Sequence, residues 1–340
     1  MAYTTINKSS DYFNTKLYTG NATNPTTISG IGFQPDWVWT KARSASEGHR
    51  LCDAVRGATK DLFSNSTAAE STNAIGLKSF NSDGYVIGNS NGYNQNSQTF
   101  ASWNWKANGA GSANTDGSVS ATVSANTTAG FSIVKYNTAG SGTQTMGHGL
   151  GSAPTFIITK PAQVTESWYV YIPTGVSTSL RLNTDAAAVS STPYAGTPTD
   201  TLFSINNSVI GGYTNVISYC FAEKTGYSKI GSYVGNGNAD GTFVYTGFKP
   251  AWLLIKKSSA SGNGWFLMDT KTNTYNPKSI FFQANLSNAE TDVDRMDILS
   301  NGFKPRYDWS IINESGATYI YMAFAEAPLV GSNNVPCTAR

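Results

Sequence analysis

The chain has 340 residues, a net charge of +2 and only 13% charged side chains, so it is long enough for more than one core but lacks the basic excess of a nucleic-acid surface. No run of apolar residues approaches the length of a bilayer span, which excludes membrane insertion through a helix. Ser, Thr, Asn and Gly fill the gaps between aromatic and branched residues, the composition of a turn-rich β protein and not of a helical one.

The first predicted strand begins at Phe13 and runs into a Gly/Asn-rich turn. The next is announced by Gly32-Phe33-Gln34-Pro35-Asp36-Trp37-Val38-Trp39-Thr40-Lys41, in which Lys follows Pro by six residues. The same spacing returns at Pro154-Thr155-Phe156-Ile157-Ile158-Thr159-Lys160 and at Pro250-Ala251-Trp252-Leu253-Leu254-Ile255-Lys256. An aromatic precedes each proline by 22 or 23 residues (Phe13, Phe131, Tyr227), and an Asn follows it by about thirty (Asn65, Asn183, Asn285). Each copy closes on an aromatic strand, at Phe100 to Ala107, Val216 to Glu223 and Tyr319 to Glu326. The proline strand is apolar at consecutive positions, so both its faces are covered. Trp37, Phe156 and Trp252 are therefore expected in the core. Trp103 and Tyr219 could face either way, and the small column Asn104, Cys220, Ala323 suggests close packing. The best helical candidate, around Ala68-Ala69-Glu70, is too short to decide anything.

This spacing predicts three tandem β-sandwich repeats: residues 1–107, 122–224 and 225–340, the last including a C-terminal tail. Residues 108–121 are Gly/Ser/Asn-rich without an aromatic and read as a linker. Each unit is long enough to bury its own core; the linker is expected to let the first swing, while the second and third, joined directly by Phe221 to Gly226 running into Tyr227, are expected to pack rigidly.

Candidate chemistry is sparse. His49 and His148 fall in different units with no second ligand at metal spacing, and no nucleophile elbow surrounds any Ser. Cys52, Cys220 and Cys337 form no disulfide framework, and the first two read as small core residues. Glu223 and Glu326 hold equivalent positions and read as strand-end ion-pair partners. Asn236-Gly237-Asn238-Ala239-Asp240-Gly241 imitates the start of a calcium loop, but its twelfth position is Gly247 where a bidentate Glu is needed; it reads as a turn. The acidic stretch Glu290 to Asp297 is a better cation candidate and is more simply a solvated loop. Arg50 and Arg56 are expected to pair with Asp53 and nearby acids at a domain surface, or else to bind an acidic partner or sugar. No catalytic, cofactor or metal residue is assigned.

The strings GFQPDWVWTKARS, HRLCDAVRG, FNSDGYVIG, ASWNWKANGAG, SYCFAEKTGYSKIGSYVGNG, FVYTGFKPAWLLIK and YIYMAFAEAPLVGSNNVP resemble a family of repeat-built virion proteins of tailed bacteriophages, especially those of marine bacteria, across nearly the whole chain. The resemblance implies a structural protein with concanavalin-like or jelly-roll sandwiches, no cofactor and no enzymatic activity. Its implied partners are other virion subunits, with a homo-oligomer in the particle. The N-terminus lacks the apolar segment of a secretory signal, consistent with synthesis in the host cytoplasm and residence in the virion.

Two functional classes follow. One is a tail-fibre-like adhesin contacting host surface polysaccharide through aromatic platforms and amides, with Tyr93, Tyr194 and Tyr275 as loop candidates. The alternative is a capsid-decorating or other architectural protein that binds only neighbouring subunits. A polysaccharide depolymerase stands third, because it needs two close carboxylates in a cleft and the acids here are dispersed.

Overall fold

A computed structural model describes residues 4–172 and 178–328. The chain is all-β, with strands antiparallel throughout and sheets packed face to face. Among the described residues helices are confined to single turns, at Ser9–Asp11, Asn91–Asn94 and Asn207–Ile210; the Ala68–Glu70 stretch is irregular.

Three large sheets of six, seven and eight strands share one internal order. An opening strand (Phe13–Thr19, Phe131–Tyr136 or Ser228–Val234) pairs with a closing strand (Thr99–Trp105, Val216–Phe221 or Thr318–Pro328). The other edge of the closing strand takes the proline strand (Trp37–Ala42, Phe156–Pro161 or Phe248–Lys257). A hairpin then adds Arg50–Asp53 and Lys60–Phe63, Tyr169–Tyr171 and Leu180–Arg181, or Phe266–Asp269 and Lys278–Gln283. Over the first sheet lies a three-stranded layer (Thr26–Ser29, Leu77–Asn81, Gly84–Ile87), and beside the second a two-stranded one (Thr143–Gly147, Leu202–Asn206). The third sheet instead continues through Thr291–Leu299 and Gly302–Pro305 to Val244–Tyr245.

Strand alternation explains why the proline strands are apolar on both faces. Trp37 and Trp39, Phe156 and Ile158, and Trp252 and Leu254 point into one cluster shared by all three sheets. The intervening Val38, Ile157, and Leu253 with Ile255 point outward into three separate clusters, one per sheet. Trp103 and Tyr219 also face the shared cluster and are fully buried. Asn104, Cys220 and Ala323 are fully buried as well.

The expectation of self-contained cores with a mobile first unit is thereby corrected. The inner faces of the three sheets are each other's cover, and the seams between them repeat one hydrogen-bond pattern around a closed circuit. Asn65, Asn183 and Asn285 accept, through Oδ1, the backbone N–H of His49, Trp168 and Trp265 at 3.0, 2.8 and 2.8 Å. Each ring so held crosses a seam: Trp168 Nε1 donates to Phe63 O (2.8 Å), Trp265 Nε1 to Arg181 O (2.9 Å), and His49 Nε2 lies 3.1 Å from Gln283 O. Backbone bonds follow the same circuit, from Glu70 N to Ala162 O, Ala188 N to Ser258 O and Glu290 N to Arg43 O, at 2.6, 3.0 and 2.8 Å. Within residues 108–121, Ser112–Asn114 forms a strand on the edge of the second sheet, and the amide of Asn108 donates to Ser124 Oγ at 2.8 Å. A polar, glycine-rich sequence leaves its backbone free to extend a sheet edge, so this stretch is held and does not hang free between sheets.

The lysines that end the proline strands are buried at the same seams. Lys160 Nζ donates to Pro161 O, Val164 O and, across a seam, Thr67 O; Lys256 Nζ donates to Lys257 O and, across the next, Asp185 O. Lys41 Nζ donates to Ala42 O and Ala45 O. Burial lowers all three ammonium pKa values to about 8.

Candidate functional site

Most residues with chemical potential in the sequence are consumed by the fold. Trp39 Nε1 donates to His49 Nδ1 at 2.9 Å, which leaves the proton on Nε2 to be donated to Gln283 O. His49 is therefore a neutral bridging residue, and burial holds its pKa well below the ordinary histidine value. His148 accepts from Leu150 N and contacts Thr199 O. Cys52 and Cys220 are buried free thiols; Cys337 lies outside the described residues. Among the described residues no three His, Cys, Asp or Glu side chains converge as a metal site would require.

The charged candidates are likewise paired. Arg56 is buried against Asp53 (2.5 Å) and Glu70 (3.0 Å) and so sits inside and not at a domain surface, while the partly exposed Arg50 pairs with Asp61 (3.0 Å). Glu223 pairs with Lys229 at 2.8 Å and Glu326 with Lys249 at 2.7 Å. In the Asn236 to Gly241 turn, the amide of Asn238 donates to Asn236 Oδ1 and that of Asp240 to Asn238 Oδ1, while Lys304 takes the Asp240 carboxylate at 2.5 Å. The acidic stretch is a correction: Thr291–Leu299 is a strand, not a loop, with Glu290 held by Arg43 at 2.7 Å. Among the described residues no three acidic side chains of this strand converge as a cation site would require. Of the three loop tyrosines, Tyr93 and Tyr194 are corrected to core residues at 1% and 4% exposure. Their hydroxyls are bonded inside, Tyr93 to Asp61 and Tyr194 to Ile157 O. Tyr275 is 82% exposed.

A cleft of about 540 Å³ opens where the first opening strand meets the third sheet. That volume suits a small ligand. The sheet-edge residues Phe13 to Leu17 supply one wall, and Ala251, Thr270, Lys271 and Ala325 supply the opposite one. Lys271 Nζ donates to Asn14 Oδ1 (2.6 Å) and Thr15 O (2.8 Å), which ties the walls together. Burial pushes the Lys271 pKa down; Lys16 adds to this, whereas Asp269 and Glu326 oppose it. Lys16 has no hydrogen bond or ion pair to another described side chain, and the Asp83 carboxylate that bears on it electrostatically is bonded to the amides of Gly30 and Gly32 at 2.9 and 2.7 Å. Gly30 has φ 76, and a Cβ there would come within 3.2 Å of Lys16 Nζ. The lining holds one carboxylate, Glu326. Tyr275 follows the lining Thr274 directly in the chain. Sequence reasoning found Tyr275 and Glu326 but not Lys16 or Lys271, because nothing local marks two lysines far apart in the chain as neighbours.

A second exposed feature lies on the edge strand Val244–Tyr245. Phe243 and Tyr245 are 45% and 60% exposed while the intervening Val244 is buried. Val234, 54% exposed, is joined to this edge by the Thr242 hydroxyl, which donates to Val234 O at 2.8 Å.

Residues 8–328 match a family model described as a domain of unknown function. No curated protein and no solved structure matches the chain.

Proposed function

The chain belongs to the DUF7483 family, whose description carries no activity, and from its own residues we propose that it is a non-catalytic virion protein of a tailed bacteriophage that contacts host surface glycans. The observation that carries the proposal is the cleft between the first and third sheets, where Asn, Thr and Lys groups share a lining with aliphatic side chains beside an exposed tyrosine. Sugars present hydroxyls at their edges and C–H faces between them, so this mixture of groups suits them. Hydrolysis by an acid pair would need a second carboxylate in the cleft, and Glu326 has none beside it among the lining residues. The circuit of seams holds the two walls in register, which suits a surface that binds without rearranging.

The exposed Val234, Phe243 and Tyr245 favour a second reading, in which this edge packs against another virion subunit and the protein is architectural. Immunogold labelling of intact phage separates the two. Gold at tails or fibres is the expected result; gold spread over heads would replace adhesion by decoration, and particles without gold would remove the virion assignment.

A further inference from the structure

We infer that the cleft between the first and third sheets selects acidic sugars, those carrying a carboxylate such as a uronate or a sialic acid, with Lys16 as the residue that recognises the charge. The inference rests on the glycan-contacting reading and adds a ligand class to it.

The ammonium groups of the cleft are unevenly paired. The cleft holds two ammonium groups and one carboxylate, those of Lys16, Lys271 and Glu326. Glu326 is already paired at 2.7 Å with Lys249. Lys271 spends its hydrogen bonds on two neutral oxygens, Asn14 Oδ1 and Thr15 O, which orient the amine without cancelling its charge. Lys16 is half-buried, with neither an ion pair nor a side-chain hydrogen bond among the described residues. The nearby Asp83 attracts Lys16 through space but makes its hydrogen bonds to two backbone amides and none to Lys16. Lys271 feels the attraction of Asp269 and Glu326 as well as the repulsion of Lys16, so Lys16 is the ammonium left without a bonded counter-charge. Lys16 therefore gains more from a carboxylate than from a neutral hydroxyl.

The remaining lining argues for a sugar and not for a bare inorganic anion. Leu17, Ala251 and Ala325 present apolar surface, and Thr270 and Thr274 present hydroxyls. A small inorganic anion can take the hydroxyls but not the apolar surface, whereas a pyranose ring uses both. Tyr275, at 82% exposure, stands next to Thr274 as a platform for a second ring, since a base-like or sugar face stacks on an exposed phenol with little ordering cost.

The test is titration calorimetry on the full chain with trigalacturonate, with an oligosialate and with neutral galactotriose. Charge-assisted hydrogen bonds predict binding of an acidic saccharide at least about tenfold tighter than of galactotriose. Lys16→Gln is expected to remove that preference, Lys16→Arg to keep most of it, and 0.5 M salt to weaken it, since a partly exposed ion pair is screened. Because the Lys16 side chain makes no fold-supporting bond, both variants should melt with the wild type, which the same samples report. Equal affinity for acidic and neutral saccharides, binding of neither acidic probe, or an acidic preference that survives Lys16→Gln would overturn the inference. The first of these outcomes would leave the glycan-contacting reading standing, and the immunogold result decides that reading independently.

Discussion

Trp252 sits among rings from its own sheet and from the first: Phe324 at 5.8 Å, Trp105 at 5.4 Å, Phe13 at 6.2 Å and Trp39 at 6.5 Å between centroids. Replacing it by Ala removes a fully buried indole and is expected to cost roughly 3 to 5 kcal/mol. The loss should appear in the melting of the entire chain, followed by circular dichroism, because three of the four ring contacts it breaks belong to the first sheet. A second residue-scale effect concerns acid. His49 and His148 have folded pKa values lowered by burial, so the folded state favours the neutral rings. As pH falls through the ordinary histidine value near 6.5, the unfolded chain takes up protons that the folded chain resists, and stability declines. His49→Gln is expected to flatten the dependence of Tm on pH between 7 and 5; an unchanged slope would place the effect on His148. His49 was visible in the sequence as the odd member of a position that holds Trp168 and Trp265 in the other two segments, but its role as an inter-sheet bridge depends on a carbonyl more than two hundred residues away.

At the scale of elements, the closing and hairpin strands meet across the seams through a polar contact in two cases and an apolar one in the third. Tyr219 donates to Asp53 at 2.8 Å, and Trp103 Nε1 donates to Asp269 at 3.0 Å. Strand pairing puts Asp53 opposite Trp37 and Asp269 opposite Trp252. The matching place in the second sheet, one step beyond the Ile157–Tyr171 pair, is Ile172. The matching place to Tyr219 and Trp103 in the third is Met322, which lies opposite Leu254. Both are in the shared cluster, so the missing donor coincides with the missing acid. Tyr219→Phe is expected to cost about 1.5 to 3 kcal/mol, the loss of one hydrogen bond to a buried charge. Ile172→Asp should cost more, about 3 to 5 kcal/mol, because no donor awaits its carboxylate. Urea denaturation of both variants checks the order; a milder Ile172→Asp would mean that the third seam admits water. The apolar strands themselves were legible, since the proline spacing and two-faced hydrophobicity mark them. Their partners were not: the acidic Thr291–Leu299 strand looked like a loop because its polar face is continuous with solvent, and Tyr93 and Tyr194 looked like surface because their flanks are Gly, Asn and Pro.

For the whole molecule, a core assembled from three sheets predicts one cooperative transition. Calorimetry should give a single peak whose van't Hoff and calorimetric enthalpies agree; separate peaks would restore three independent cores. The same seams set an alkaline optimum. Lys41, Lys160 and Lys256 have folded pKa values of about 8 against an ordinary 10.4, so below pH 8 their buried charge costs stability that is regained as pH rises from 8 towards 10. Tyrosines raised by burial, Tyr85, Tyr319 and Tyr321 to about 12 among them, act oppositely above pH 10, where only the unfolded chain ionises. The melting temperature is expected to climb from pH 7.5 to between 9 and 10 and then fall. A steady decline from pH 7.5 would show that the carbonyls around the lysines keep them charged.

By itself, the sequence determined the fold class and the core strands, because alternation, two-faced apolar runs and turn residues are local properties that each segment carries regardless of its neighbours. It also determined that acids and histidines are scattered along the chain and form no local motif. Only the tertiary structure decided that the three inner faces bury one another, that Arg56 and His49 are internal ties, and that Lys16 and Lys271 share a cleft. Those outcomes are relations between side chains brought together by sheet packing across more than two hundred residues, and hydrophobic burial selects them by fit between faces, for which no single stretch of sequence holds both halves.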